Sequence, residues 1–333
     1  MSLVTDFYAG RKVLITGGVG FIGSNLAHRL VERGAEVVVV DSMLRQYGAR
    51  LENLDGIAER VGVNFSDVRD AHSLGYLVQG KDLIFSLAGQ VSHIDSMRDP
   101  MTDLEINCHS QLSLLECCRR ENPGVKIVFA STRQVYGRPR YLPVDEVHPV
   151  DPVDVNGINK FAAERYYSLY DKIHGVRSVS LRLTNTYGPR MDLVSDTKGF
   201  VGIFVRRALR GETIRVYGGG EQRRDFNYVD DVVDALLAAG ANDAVYGDVF
   251  NLGHPKPLTL LEFVEALHEV ADFEHEIVPF PPDAKAIDIG DYYGDFSKFQ
   301  AATSWRPRVD VAAGLRQTLE YHRRLGVPDG SEA

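Results

Sequence analysis

The run KVLITGGVGFIGSNLAHRLVERGAEVVVVD (12–41) decides the fold. A β-branched strand ends at Thr16, a glycine-rich turn follows, a helix-length amphipathic segment comes next, and a second apolar run closes on Asp41. Strand, helix and strand in that order make a crossover unit, and so a parallel pair of strands. The glycines at 17, 20 and 23 fall where strand gives way to helix. Glycine there permits a tight turn, lets the backbone approach a pyrophosphate and lets the helix pack closely on the sheet. The helix N-terminus adds unpaired N–H groups and a positive dipole end. Asp41 ends the second strand, where a carboxylate accepts hydrogen bonds from an adenosine ribose and repels a 2′-phosphate. The stretch reads as a dinucleotide site that favours NAD, with Arg45 and Arg50 nearby keeping NADP open.

Working outward, the alternation continues. A strand near 63–65 is followed by DLIFSLA (82–88), a helical stretch near 101–121, KIVFAST (126–132), a long helix near 156–174 and RSVSLRL (177–183). Such alternation predicts a Rossmann-type, doubly wound parallel sheet of seven strands in an α/β protein. Asp67 and Val68, after the third strand, read either as holders of the adenine edge or as a plain turn. After Thr184 the texture changes to glycine- and proline-rich turns at YGPR (187–190), YGGGEQRRD (217–225) and GHPKP (253–257). A smaller α/β substrate-binding domain is expected from 185–225 and 251–327. The NAD-binding domain then takes 1–184 and a return segment of about 226–250, with the helix VDDVVDALLAA (229–239), and 328–333 forms a flexible tail.

Composition excludes other classes. With 44% hydrophobic and 25% charged residues the chain is neither disordered nor fibrous. A net charge of −9 argues against broad attraction to nucleic acid or to an anionic membrane. No apolar stretch is long enough to span a bilayer, and no secretory leader is recognisable at the first residues. Cys108, Cys117 and Cys118 do not make a disulfide framework, so a reducing, cytoplasmic setting is expected, and no metal site.

Beyond the glycine turn and Asp41, the chain carries LAGQVS (87–92), Asn107, STRQVYG (131–137), Lys160 followed by FAAE, NTYGPR (185–190), RRDFNYVDD (223–231), FNLG (250–253), GDFSK (294–298) and SWRPR (304–308). With these motifs it resembles the extended short-chain dehydrogenase/reductases, in particular the NAD-dependent nucleotide-sugar epimerases and dehydratases. The resemblance implies a cofactor site from Gly17, Gly20, Phe21, Ile22, Gly23, Asp41, Asp67, Val68, Leu87, Ala88, Gly89 and Lys160. It implies that Thr132 bonds the reacting sugar oxygen, and that Lys160 holds the nicotinamide ribose. Asn185 and Arg224 then contact the diphosphate of a nucleoside-diphosphate sugar. Lys285 stands where the family often has an arginine that grips the nucleotide, and Arg133 is placed to meet a substrate carboxylate. Members of the family commonly form homodimers through a four-helix bundle, here from the stretches near 101–121 and 156–174, with Tyr166, Tyr167, Leu169 and Tyr170 as candidates for its apolar face or for packing on the sheet.

One position departs from the family. Its Tyr-x-x-x-Lys pair reads Asn156-Gly157-Ile158-Asn159-Lys160, and an asparagine amide orients a hydroxyl but does not serve as a base. His93 and Tyr187 are the candidates to take the proton, with Thr132 as relay; slow chemistry through Lys160 or water, or binding without conversion, remain open. Arg133-Gln134 stands where 4,6-dehydratases of this family carry Asp-Glu, which disfavours dehydration. The chain is similar to both the CDP-tyvelose 2-epimerase and UDP-glucose 4-epimerase branches. The expected activity is therefore epimerisation through a transient keto-sugar. A nucleotide-sugar reductase or dehydrogenase and a non-catalytic nucleotide-sugar or NAD-binding protein are the alternatives.

Overall fold

The computed structural model describes residues 7–326, apart from the side chains of Asp283 and Ala284; the expected tail at 328–333 lies outside the described residues. The sheet begins with β1 (Lys12–Thr16), β2 (Glu36–Val40), β3 (Val61–Asn64), β4 (Leu83–Ser86), β5 (Lys126–Thr132) and β6 (Ser178–Leu183). A seventh strand, Val249–Asn251, joins at the β6 edge, and the order across the sheet is Val249–Asn251, β6, β5, β4, β1, β2, β3. Every pairing is parallel, as the alternating sequence predicts.

Alternate residues of the strands face opposite layers. Val13, Ile15, Val37, Val39, Phe85 and Val128 pack in one core with the helices Phe21–Glu32 and Val229–Ala241. Leu14, Val40, Ile84, Ile127 and Phe129 pack in the other, against Ser110–Glu121 and Val155–His174. Both faces are covered, which is why these strands are apolar without alternation. The strand order reverses between β1 and β4, and a cleft opens beyond the carboxyl ends of the strands there.

A separate core lies on the far side of the cleft. Tyr187, Phe204, Phe226, Phe263 and Leu315 centre it, with Phe226 and Phe263 stacked at 4.4 Å. Its short strands pair in twos, Asn185–Tyr187 with Phe226–Tyr228 and Ile214–Tyr217 with His275–Val278. The stretch expected as one helix near 101–121 is instead Pro100–Leu104 and Ser110–Glu121, joined by a π-helical turn at Glu105–His109. Such turns shift the side chains that follow and often mark functional sites; in this one the buried Asn107 donates to the carbonyl of Gln90, which lines the cleft.

Candidate active site

At the β1 end of the cleft the turn is built by what is missing. Gly17 has φ +70°, and a Cβ there would lie 2.9 Å from Cα of Ala88. A Cβ on Gly23 would lie 2.2 Å from the carbonyl oxygen of Gly17. Gly20 caps the helix Phe21–Glu32 with no side-chain hydrogen bond, and no acidic residue stands in its first turn. The N–H groups of that turn therefore stay available to an anion. Asp41 closes this end: Oδ2 accepts from Val19 N–H at 3.3 Å and Oδ1 from Met43 N–H at 3.1 Å, while burial raises its pKa. Asp41 lines the cleft; Arg45 and Arg50 do not.

The cleft encloses about 780 Å³. Phe21, Ile22, Asp67, Val68, Leu87, Ala88 and Gly89 line it with the glycines. Leu87 and Ala88 are pinned through their N–H groups to Oγ1 of Thr16, both at 3.1 Å. Asp67 is clamped by Arg69 at 3.0 and 2.8 Å, which holds its carboxyl below the usual range. The glycine cradle, the open helix N-terminus and the Asp41 carboxylate suit an adenine dinucleotide.

Toward the other end of the cleft, Thr132 ends β5, and its Oγ1 accepts from Gln134 N–H at 3.2 Å. Lys160 lies on the Val155–His174 helix, 6% exposed, with Nζ donating to the Ala130 carbonyl at 3.2 Å and 5.0 Å from the Phe129 ring centre. Burial lowers its pKa to about 8 against the opposing pull of Asp103 and Glu164. Asn156 sits one turn earlier, and its Nδ2 donates to the Gln90 carbonyl at 2.8 Å and to Asp103 Oδ2 at 3.2 Å. Its donors are thus turned inward, away from the role of handing a hydrogen to a sugar oxygen.

Asp103 was not singled out by the sequence. It is fully buried, and its carboxylate accepts from three amides: Asn107 at 3.0 Å, Asn156 at 3.2 Å and Asn159 at 2.8 Å. Its four-residue spacing from Asn107 is the one local signal. Asp154 was missed as well. It N-caps the Val155–His174 helix by accepting from Gly157 N–H at 2.7 Å, a role its place just before the helix suggests. Its Oδ2 also accepts from Gln134 Nε2 at 3.0 Å and meets His93 Nδ1 at 3.0 Å.

On the opposite wall, Asn185 Nδ2 donates to the Asp225 carbonyl at 3.0 Å, and its Oδ1 accepts from Arg133 at 3.3 Å. The Arg133 guanidinium lies 5.1 Å from the Tyr292 ring centre, and its buried Nη1 has no partner among the described residues. Arg224 spends its donors on the loop opposite: Nη1 reaches the Gly290 and Arg223 carbonyls and Nη2 lies 3.4 Å from Asp288 Oδ1. Burial brings its pKa to about 10. Arg224 therefore lines the cleft chiefly as the residue that fixes the loop carrying Ile287 and Asp288. The adjoining Asp225 is buried and pushed up to about 6.

Two candidates fall outside. Tyr187 does not line the cleft; it is fully buried in the second core, and its hydroxyl donates to the Val311 carbonyl at 3.3 Å. Burial raises its pKa far out of reach of a base at neutral pH. Lys285 is exposed on the short helix Pro282–Ala286 and does not line the cleft either, because the chain turns inward only from Ile287.

A model of the NAD dependent epimerase/dehydratase family matches residues 13–253. The chain belongs to that family. A putative UDP-glucose 4-epimerase of Methanocaldococcus jannaschii is 32% identical over 314 residues, covering 93% of this chain and 97% of its own. CDP-paratose 2-epimerase of Salmonella typhi is 30% identical, covering 93% and 98%. The crystal structure of UDP-glucose 4-epimerase with UDP-glucose from Thermotoga maritima matches with a TM-score of 0.86 at 33% identity, over 94% of this chain and 99% of that one.

Proposed function

We propose that this chain is an NAD-dependent nucleotide-sugar epimerase that works through a transient keto-sugar. The observation that carries the proposal is the single cleft in which the dinucleotide cradle, the Thr132 hydroxyl and the Lys160 ammonium meet. When bound, NAD supplies the acceptor and donor of hydride. Gly17, Gly20, Phe21, Ile22 and Gly23 hold its pyrophosphate, Asp41 its adenosine ribose, Asp67 and Val68 its adenine edge, and Lys160 its second ribose, with Leu87, Ala88 and Gly89 as wall. Thr132 keeps its hydroxyl hydrogen for the sugar, since its oxygen is an acceptor in its bond to Gln134. Asn185 and Arg224 line the cleft and are assigned to the diphosphate, Arg224 by way of the loop it fixes at Ile287 and Asp288, and the unpaired Nη1 of Arg133 suits an anionic oxygen of the substrate. The keto-sugar presents either face for return, which distinguishes an epimerase from a reductase.

We assign 1–184 with about 226–250 to NAD and 185–225 with 251–327 to the sugar nucleotide, with exchange at the borders: Phe226 and Tyr228 pack in the second core, and Leu252, Phe299 and Trp305 in the first. We also propose a homodimer. On the candidate bundle helices, Tyr167 and Tyr170 are buried against the sheet and Tyr166 packs beside them, so the bundle face falls to exposed Leu104, Ile158, Leu169 and Ile173. A cytoplasmic protein suits the three free, buried cysteines, and no described helix is long and apolar enough to cross a membrane.

The test is to denature the purified protein and identify the released nucleotide by mass spectrometry, then to supply UDP-glucose and UDP-glucuronic acid. Near-stoichiometric NAD with conversion to the epimer and no net NADH is expected, together with a light-scattering mass of two chains. An empty protein that consumes NADH each cycle identifies a reductase; one that binds these sugars without converting them is a binding protein.

A further inference from the structure

The amide at position 156 has no atom basic enough to accept a proton from a sugar hydroxyl. Lys160 already donates to a carbonyl, Tyr187 lies in the second core, and the buried Asp225 does not line the cleft. His93 does line it, at the start of the helix His93–Arg98 with its side chain about one-third exposed. Its Nδ1 lies 3.0 Å from Oδ2 of Asp154, whose side chain is fully buried. Nδ1 faces the carboxylate oxygen at hydrogen-bond distance but off the line of an ideal hydrogen bond, as catalytic contacts often are before substrate binds.

Asp154 is itself held by Gly157 N–H and by Gln134 Nε2. The N–H of the same Gln134 bonds Thr132 Oγ1. Histidine, carboxylate and threonine hydroxyl are therefore tied into one short network at the sugar end, with Asn156 two residues beyond Asp154. Burial works to raise the Asp154 carboxyl, and the contacts with His93, Gly157 and Gln134 outweigh it and hold it below the usual range. A carboxylate so placed keeps the proton of a neutral imidazole on Nδ1 and leaves Nε2 as the lone-pair nitrogen.

We infer that His93 is the general base of this site, taking the sugar hydroxyl proton on Nε2, and that Asp154 is its positioning residue. The inference rests on the epimerase proposal. In the step, the O–H bond breaks and an N–H bond forms on His93, while the C–H electron pair of the same carbon leaves as hydride to the dinucleotide and the C=O bond forms. The sugar is oxidised by two electrons and the dinucleotide reduced by two. The return step reverses both transfers on the other face, so no proton or electron is gained or lost overall.

The experiment uses the holoprotein and its His93→Ala and Asp154→Asn variants; asparagine keeps the acceptor for Gly157 and turns the acceptor that faces Gln134 and His93 into an N–H donor. His93→Ala is expected to lower kcat roughly 10²–10⁴-fold with KM and bound NAD unchanged, the usual contribution of a positioned base, and added imidazole to restore part of it. By ¹⁵N NMR of labelled histidine in substrate-free protein, the neutral His93 ring is expected to carry its proton on Nδ1 in the parent and to shift it toward Nε2 in Asp154→Asn, where an N–H donor faces Nδ1. Full turnover by His93→Ala, or a His93 tautomer that ignores Asp154→Asn, overturns the assignment and leaves the epimerase standing. A parent protein that converts no sugar nucleotide overturns both.

Discussion

The dinucleotide end and the sugar end of the cleft are made in opposite ways. At the first, one contiguous stretch supplies turn, helix start and carboxylate, and its chemistry depends on the space that glycines leave empty. At the second, His93, Thr132, Asp154, Asn185 and Arg224 arrive from five separate segments, and each is held by a neighbour's polar side chain or backbone. A site made of backbone and vacancy tolerates no added atom. One made of a buried network tolerates change until a donor or acceptor is left alone.

Gly23→Ala should break the first end outright. The new Cβ would meet the Gly17 carbonyl oxygen at 2.2 Å and Gly18 Cα at 2.9 Å, and neither is a flexible side chain that can swing aside. Backbone must move, at a cost of about 1–3 kcal/mol or more. The expected protein denatures at lower urea and releases little or no NAD on denaturation. Stoichiometric NAD from this variant would show that the turn is not the cradle.

Asp103→Ala sharpens the contrast at the second end. It takes an acceptor from three amides, of which Asn107 and Asn156 keep the Gln90 carbonyl, and removes a negative charge that supports Lys160. Leaving a buried donor without its acceptor costs about 1–3 kcal/mol, measurable by urea unfolding. The Lys160 pKa, already lowered from 10.5 to about 8 by burial, must fall further. Its ammonium is present below that pKa and lost above it, so retention of NAD in the variant should fail at a lower pH than in the parent. An unmoved retention profile would detach Lys160 from the cofactor.

What was legible in the sequence divides along the same line. The cradle and Asp41 could be read because strand, turn and helix are neighbours in the chain and each glycine has a local reason. The parallel sheet could be read because burial on both faces leaves runs such as VVVV without alternation. The short strand Val249–Asn251 was harder to see: it joins the sheet only after a long excursion, and three residues carry too little pattern. The sugar end was visible only as residue types. Nothing near His93 announces Asp154, about sixty residues on, and an aspartate capping a helix looks the same whether or not a histidine leans on it. Asn156 was seen as a substitution, but that its amide is committed to Gln90 and Asp103 is a fact of packing. Tyr187 misled because NTYGPR lies beside motif residues that do reach the cleft. In the strand Asn185–Tyr187 the burial deepens toward Tyr187, which enters the second core.

Tyr187→Phe is consequently the mildest change and the one that tests where the sugar end stops. The ring packs against Tyr228 at 5.7 Å, its hydroxyl's recorded bond is the 3.3 Å contact with the Val311 carbonyl, and a Cβ on Gly314 would lie 2.3 Å from that hydroxyl oxygen. Phenylalanine keeps the packing and forfeits one net hydrogen bond, about 0.5–1.5 kcal/mol. Urea unfolding should register that loss, while kcat, its pH profile and bound NAD stay at parental values. A collapse of kcat with the fold intact would carry the proton path across the cleft into the second core. The base would then have to be sought among groups that only a large rearrangement exposes, and the opposition between a contiguous cofactor end and an assembled sugar end would have to include the second core as a working part.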